Sequence, residues 1–230
     1  MKLLAIDTTE ASCSAALMID GEAIERFEIA PRQHSDLILP MMDSLLSEAD
    51  LSVNGLDGLG FARGPGSFTG VRIAAAVIQG VAVAADLPVV PVSSLLALAQ
   101  GALRTRGEEL VLAAFDARMN EVYWARCEKA EAGLMHLRGE ELVCPPQDVP
   151  FPPDGEKWFG AGSAWQAYES ILHERLGGRI SSVDPEMFAH AQDVAALATY
   201  GLSQGQAVSP ELAVPVYLRD QVAKKAKRQF

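Results

Sequence analysis

The sequence has few cysteines and no pairing among them. Cys13, Cys127 and Cys144 are odd in number and lie far apart, which excludes a disulfide framework and a zinc site built from cysteine pairs. The four histidines are also isolated, so the two or three converging ligands that a metal ion needs are missing. His34 is interpreted as a loop or interface residue. We therefore predict a cytoplasmic protein with reduced thiols and no bound metal.

Basic residues and long apolar runs are also scarce. Lysine and arginine number 19 against 30 acidic residues, a net charge of −11. This argues against a surface that grips nucleic acid unaided, because phosphate contacts supply most of that affinity. The apolar run Ile73–Ala85 has thirteen residues, whereas a membrane span needs about 20. The segment Met1–Asp7 already includes an acid and lacks the long apolar region of a signal peptide, so we expect no signal peptide and no membrane partner.

The end of the chain reverses this charge balance. It carries a net charge of +4, and the rest of the chain −15, because five basic residues oppose Asp220: Arg219, Lys224, Lys225, Lys227 and Arg228. Such a tail is either a solvated charged end or a contact for RNA or a partner protein. The pattern leaves both interpretations open.

The segment Arg63–Arg72 lies between a strand-like stretch, Leu56–Ala62, and the apolar run Ile73–Ala85. It contains three glycines and two hydroxyl residues close together: Gly64, Gly66, Ser67, Thr69 and Gly70. This predicts a strand-to-helix turn, in which the glycines allow close backbone approach and one of the two hydroxyls caps the helix. The free amides of such a turn favour phosphate or carboxylate. The segment is therefore either an anion site or only a tight turn.

Three standard motifs are excluded at this turn. A Walker loop ends in Gly-Lys-Ser/Thr, but no lysine lies between Lys2 and Lys129. The dinucleotide fingerprint would need glycine in place of Thr69, and the nucleophile elbow would need glycine in place of Pro65.

The helix predicted over Ile73–Ala85 is apolar or small on every side. Two rows at spacing four lie side by side: Ala76, Gly80 and Ala84; Ile73, Val77 and Val81. A helix of this composition is buried on all sides. A sheet can cover one face, and the other then needs a second domain or another chain, unless the helix is central in a single core.

A further helix is predicted earlier in the chain, from a cap at Ser35 or Asp36 to about Ala49. Its apolar row contains three larger residues: Leu37, Met41 and Leu45. Pro40 would kink this helix unless the helix proper begins near that residue.

The order of predicted elements indicates the fold. Over 1–104 it is strand, strand, strand, helix, strand, helix, strand, helix, with a hairpin turn at Asp20-Gly21. This order matches one ribonuclease-H-like half of the actin-like ATPase fold. A strand over Leu110–Phe115, an acid at Asp116 and a strand from Glu121 repeat the opening. Later helices are predicted over Ser163–Leu176, capped by Ser163, and over Ala189–Ser203.

We therefore predict an α/β protein with the two-lobed actin-like ATPase fold, a duplicated ribonuclease-H-like unit with mixed sheets flanked by helices. The lobes are placed at 1–104 and 105–230. Asp7 and Asp116 would end the first strands of the two lobes, where paired carboxylates could hold magnesium for nucleotide hydrolysis. Against that role, the loop from Asp7 to Ser12 has no glycine to wrap a phosphate, and Glu10 would repel one.

Several segments together resemble the bacterial TsaB (YeaZ) family of tRNA threonylcarbamoyladenosine biosynthesis proteins: Ile6–Thr9, His34-Ser35 with the Leu-Ile-Leu-Pro that follows, Gly64–Arg72, Phe115–Arg118 and Glu121–Tyr123. The resemblance covers the whole chain. It implies an actin-like fold with a degenerate phosphate or nucleotide site at these positions: Asp7, Thr8, Gly64, Gly66, Ser67 and Thr69. The catalytic relative, TsaD, holds its metal with a histidine pair on the first helix, but this chain has only His34 in that region, so the metal chemistry does not carry over.

The resemblance further implies an accessory subunit without turnover of its own. It would bind and order TsaD, which transfers a threonylcarbamoyl group to adenosine 37 of tRNA, with the ATPase TsaE as third member and tRNA reached through the complex. No cofactor is expected to bind stably, and ATP or ADP would sit at the interface shared with TsaD.

Helix chemistry and the resemblance converge on one surface. The outer rows of the two apolar helices would form a four-helix contact with the equivalent pair of another chain. We expect this contact in a homodimer of the chain alone and in a heterodimer with TsaD. The predicted interface residues are Leu37, Met41, Leu45, Ile73, Ala76, Val77, Gly80, Val81 and Ala84.

Two other functions stay open. The first is an autonomous ATPase or kinase of the same fold that uses Asp7 and Asp116. The second is an inactive peptidase-like chain that binds proteins unrelated to tRNA.

Overall fold

The computed structural model describes residues 1–130 and 132–219. The strands are β1 Lys2–Asp7, β2 Ser12–Ile19, β3 Glu22–Ile29, β4 Gly58–Gly64, β5 Val89–Ser93, β6 Leu110–Arg118, β7 Glu121–Lys129, β8 Met135–Leu137, β9 Leu142–Cys144, β10 Trp158–Ala161 and β11 Ile180–Asp184. The helices are α1 His34–Glu48, α2 Phe68–Ala85, α3 Ser94–Arg106, α4 Ala164–Ala167, α5 Glu169–Leu176 and α6 Ala191–Ser203.

The two sheets have the same strand order. The first is β3-β2-β1-β4-β5 and the second is β8-β7-β6-β10-β11, with β9 pairing β7. In each sheet the central strand pairs antiparallel with the strand that follows it and parallel with the next one along the sheet. The first meander turns at Asp20-Gly21, where both residues have positive φ. The predicted α/β fold with two mixed sheets flanked by helices is therefore confirmed.

Two helices cross between the sheets. Helix α6, near the end of the chain, packs on β1, β2 and β4 of the first sheet, while α3 packs on β6, β7 and β8 of the second. Arg104 of α3 binds Asp193 of α6 through two hydrogen bonds of 2.8 Å. One apolar cluster includes buried residues from both sheets, among them Leu3 and Phe159. A division at residue 104 thus separates the strands of the two sheets but misplaces α6, which covers the first sheet.

Helix α2 begins at the glycine motif. Ser67 is its N-cap, and the Ser67 hydroxyl accepts a hydrogen bond of 3.0 Å from the Gly70 N–H. Thr69, the other predicted cap, lies inside the first turn. The helix continues to Ala85, longer than the thirteen apolar residues alone. By length and composition it could cross a membrane, but core helices meet the same criterion.

The two faces of α2 have different surroundings. Its inner residues Ala74, Ile78 and Ala82 are fully buried, and the helix packs on β4. The small-residue row Ala76, Gly80 and Ala84 is exposed, as is Val83 at 71%. Three further residues are half-buried: Ile73, Val77 and Val81. The described part of the chain therefore leaves the outer face of α2 uncovered.

Helix α1 differs from its predicted form. It begins at His34 after Gln33, which makes no side-chain cap, so the predicted cap at Ser35 or Asp36 is wrong. Pro40 lies inside the helix. Leu45 is fully buried, whereas two other residues of the predicted row are half-buried: Leu37 and Met41. Residues at spacing four rotate by about 40° per step, so the row turns from the rim of the surface at Leu37 into the core at Leu45.

The second lobe also departs from the predicted elements. The helix expected over Ser163–Leu176 is broken at Tyr168 into α4 and α5. Ser163 precedes α4 but makes no capping hydrogen bond, because its hydroxyl is used elsewhere. The short strands β9 and β11 were not predicted.

Two glycines of α2 give opposite expectations. A Cβ on Gly70 would lie 2.0 Å from the Thr8 carbonyl oxygen, whereas one on Gly80 would meet nothing within 4 Å. We expect Gly70→Ala to lower the free energy of unfolding by about 3 kcal/mol through backbone overlap. Gly80→Ala should raise it by about 0.5–1 kcal/mol, since alanine is the better helix former.

Urea unfolding of both variants at one protein concentration checks this pair. Equal stabilities for the two variants would contradict the close packing of the glycine motif.

Candidate functional site

A cleft of about 960 Å³ opens between the two lobes. Its walls include Glu10 after β1, His34 at the start of α1, Phe68 at the start of α2, Asp116 on β6 and Ser163 before α4. The carboxyl ends of the central strands of both sheets meet there, which is where ligands of α/β proteins bind. This cleft is the candidate functional site.

The glycine motif forms one wall and packs against the loop after β1. The Ser67 N–H donates to the Thr9 carbonyl at 2.7 Å, and the Thr8 hydroxyl donates to the Gly70 carbonyl at 2.7 Å. A Cβ on Gly66 would lie 2.4 Å from the Thr9 carbonyl oxygen. The glycines thus permit backbone contact between two loops of the first lobe, and the chain itself occupies one of the amides that an anion would need.

The remaining predicted residues of this site are spread around that contact. Gly64 ends β4 with a φ of +104°, a backbone conformation that is strained for any residue with a side chain. Thr69 is exposed and lines the cleft, whereas Thr8 is fully buried.

Asp7 ends β1 as a buried carboxylate. It is 1% exposed, and its Oδ1 accepts hydrogen bonds of 2.7 Å from the N–H and the hydroxyl of Thr9. Among residues 1–130 and 132–219, no partner binds its Oδ2. Burial raises the pKa of Asp7 to about 6. The same part of the chain contains no group of three or more acidic, histidine or cysteine side chains placed to hold a metal ion.

Glu10 joins the two lobes. The Ser163 hydroxyl donates to Glu10 Oε1 at 3.1 Å and accepts from the Asp116 N–H at 3.1 Å. Burial raises the pKa of Glu10 to about 8, and the charges of Asp7 and Asp116 act in the same direction. The glutamate that the sequence suggested would repel phosphate is therefore a contact between lobes. Sequence reasoning missed Ser163 in this role, because a serine before a helix resembles a cap.

Asp116 is held by its own lobe. Tyr168 donates its hydroxyl to Asp116 Oδ1 at 3.1 Å, and Arg118 Nη1 lies 2.8 Å from Oδ2. Burial raises the pKa of Tyr168, and the charge of Asp116 adds to this. Both carboxylate oxygens therefore have protein partners.

The geometry agrees with known proteins over nearly the whole chain. The solved structure of YeaZ from Pseudomonas aeruginosa has a TM-score of 0.88 and 45% identity, covering 94% of this chain and 99% of that one. The TsaB of Escherichia coli (strain K12) is 40% identical over 227 residues, 98% of this chain and 97% of the relative. The chain belongs to the TsaB family.

Other comparisons agree with this assignment. The TsaB of Haemophilus influenzae is 38% identical over 232 residues, covering 98% of this chain and 96% of the relative. Both relatives are named tRNA threonylcarbamoyladenosine biosynthesis proteins. A family model described as TsaD: tRNA N6-adenosine threonylcarbamoyltransferase matches residues 27–227. The predicted resemblance to TsaB, with its actin-like fold, is confirmed.

In this TsaB-family chain His34 lies in a helix and is buried, so the interpretation of His34 as a loop residue is wrong. It is the first residue of α1, is 7% exposed, and its Nε2 lies 3.1 Å from the Ser12 carbonyl oxygen. It ties the start of α1 to β2 at the cleft wall.

The C-terminal segment of the TsaB-family chain crosses the mouth of the cleft. The Val216 N–H donates to the Arg63 carbonyl at 2.9 Å in the first lobe. Arg219 donates through Nε to Glu121 at 2.9 Å and through Nη2 to the Ala117 carbonyl at 3.1 Å in the second. The other basic residues of the predicted tail lie outside the described residues.

Glu10 makes stability depend on pH. Because its folded pKa lies above the ordinary value, the folded state binds more protons between about pH 4.5 and 8, and its stability falls as pH rises through that window. We expect Glu10→Gln, which can still accept from Ser163, to match the wild type at pH 5. At about pH 8.5 it should be more stable by about 2 kcal/mol, a value reduced for partial solvent screening.

Urea unfolding at both pH values tests this expectation. Glu22→Gln, on the exposed end of β3, is the matched control and should show no pH-dependent difference. A Glu10→Gln variant that follows the wild type at both pH values would contradict the raised pKa.

Proposed function

We propose that this chain is a non-catalytic subunit in tRNA threonylcarbamoyladenosine biosynthesis that binds and orders the catalytic subunit TsaD. The observation that carries the proposal is the uncovered outer face of α2. The names of the full-length relatives support the pathway. In this proposal the ATPase TsaE is the third member, and tRNA is reached through the complex.

The outer face of α2 has the chemistry of a helix-packing surface. From Ile73 to Ala85 it carries no charge, and its exposed row is Ala76, Gly80 and Ala84. Small side chains let a second helix approach closely. Helix α1 packs beside α2 and adds Leu39, 52% exposed. Burial of this face against another protein would remove apolar surface from water.

A partner of the same fold would present matching helices. The TsaD family model matches residues 27–227, which include both α1 and α2. Two such helix pairs can meet in a four-helix contact. The same reasoning supports a homodimer when the chain is alone. Leu45 is left out of the contact because it is buried in the core, while Leu37 and Met41 remain at its edge.

The cleft supports an accessory role. The amide of Ser67 is taken by the Thr9 carbonyl, and Glu10 is bonded across the cleft to Ser163. The first contact occupies an amide that a nucleotide phosphate would use, and the second places a glutamate where a phosphate would lie. We propose that no nucleotide binds stably to this chain by itself, and that ATP or ADP binds at the interface with TsaD.

Charge on the α2 face should block association. We expect Ala76→Glu and Gly80→Glu to remain folded, because both positions are exposed, and to lose binding to TsaD by at least about tenfold, since each buries an unpaired carboxylate at the contact. Ser170→Glu, at an exposed position of α5, is the control. Light scattering measures the homodimer, and a TsaD pull-down measures the heterodimer. Unchanged association of folded Gly80→Glu would reject the interface.

The second candidate, an autonomous ATPase, is favoured by Oδ2 of Asp7, which has no partner within the described part of the chain. Our proposal expects no nucleotide hydrolysis by the isolated chain. It also expects Asp7→Asn to support tRNA modification by TsaD as well as the wild type does, because Oδ1 of asparagine can still accept from Thr9. Reconstituted modification with TsaD and TsaE, with and without the chain, is the measurement. Hydrolysis that disappears in Asp7→Asn would establish the ATPase instead.

A further inference from the structure

The mouth of the cleft carries a group of arginines on an otherwise acidic protein. We define the arginine rim as Arg32, Arg72, Arg118 and Arg219. Three of these line the cleft directly, and Arg72 lies over Phe68, which also lines it. Arg219 contacts the Arg118 carbonyl at 3.4 Å, and Arg72 donates to the Tyr217 hydroxyl at 2.9 Å. Arg32, Arg118 and Arg219 therefore share the cleft, and Arg72 lies beside it, next to Phe68 and Tyr217.

Two arginines of the rim have no acidic partner among the residues that the structure describes. Within 1–130 and 132–219, neither Arg32 nor Arg72 forms an ion pair, although acidic residues outnumber basic ones 30 to 19. Both side chains are exposed. Arg118 is paired with Asp116 but its side chain is 85% exposed. Nearby Glu10 has a pKa raised to about 8 and adds little negative charge at neutral pH.

Aromatic rings stand among these arginines. The Arg72 guanidinium lies 3.6 Å from the centroid of the Phe68 ring, and the Phe68 and Tyr217 rings are 6.0 Å apart. Phe68 is 56% exposed and Tyr217 is 47% exposed. Guanidinium groups beside exposed rings bind single-stranded nucleic acid, because phosphates pair with the charges and unstacked bases stack on the rings.

We infer that the arginine rim, with Phe68 and Tyr217, binds a single-stranded segment of RNA. Arg32 and Arg72 would contact phosphates, and Phe68 would stack on one base. The inference rests on the proposed function, which brings tRNA to the complex. A net charge of −11 makes the affinity of the free chain weak, so the rim would orient an RNA that other members of the complex also hold.

RNA binding by the full chain tests the rim. The probe is a fluorescent single-stranded 12-nucleotide RNA, titrated at several low salt concentrations. We expect the double variant Arg32→Gln/Arg72→Gln to bind about tenfold more weakly and its salt slope to fall by about 1.4, because two phosphate contacts are lost. Phe68→Leu should weaken binding by at least about fivefold. Arg32→Lys/Arg72→Lys should restore the salt slope.

A matched control lies on the second lobe. Arg175 also stacks on an exposed ring, at 3.7 Å from the centroid of Phe151, but lies away from the cleft. Arg175→Gln should bind RNA as the wild type does. A second full-length variant replaces the four basic residues of the terminal tail by glutamine: Lys224, Lys225, Lys227 and Arg228. In this tail variant the rim substitutions should still weaken RNA binding.

Four results would overturn the inference. Two concern the substitutions: equal RNA affinity of the wild type and the double variant, or a loss of RNA affinity in Arg175→Gln equal to that in the double variant. The other two are loss of all RNA binding in the tail variant and binding of a polyglutamate peptide in place of RNA. The proposed function is judged separately, by whether the wild-type chain is required for tRNA modification with TsaD and TsaE. If it is required while the double variant binds RNA normally, only the rim inference fails.

Discussion

The contact between the glycine motif and the loop after β1 is the constraint on which the rest of the structure depends. The Thr8 and Thr9 carbonyls lie against Gly70 and Gly66 at distances that leave no room for a side chain. This contact fixes where α2 begins and therefore which of its residues face outward. It also forms a wall of the cleft. The surface proposed for a partner and the cleft between the lobes are thus set by the same few backbone atoms.

The cleft is crossed by several polar contacts. Glu10 reaches Ser163 at its floor, and Arg63 reaches Glu141 at 3.1 Å beside it. The segment from Val216 to Arg219 crosses the mouth of the cleft. Glu141 also accepts a hydrogen bond from Ser93, and burial raises its pKa. These contacts join the two lobes through paired side chains and so hold the walls of the cleft in place.

Much of the fold could be predicted because local patterns decide it. The Asp20-Gly21 hairpin, the glycine turn and the apolar α2 depend on neighbouring residues, and these were recognised. What failed depends on distant partners or on the exact rotation of residues around a helix. Ser163 binds Glu10 of the other lobe, so the prediction that it caps a helix, made from its position before that helix, was wrong. Leu45 is buried because a row at spacing four drifts around the helix. The arginines of the rim are far apart in sequence, and only the fold brings them together.

The position of α6 has a consequence for biosynthesis. This helix, over Ala191–Ser203, covers the inner face of β1, β2 and β4, which are all synthesised well before it. The amide of Ala191 at its start donates to the Ser14 hydroxyl at 3.0 Å, so Ser14 in the opening hairpin gains this partner only when α6 is made. During translation the first sheet therefore keeps one apolar face unprotected until α6 has emerged. We expect chaperones to bind the nascent chain until then, because its apolar surface is exposed.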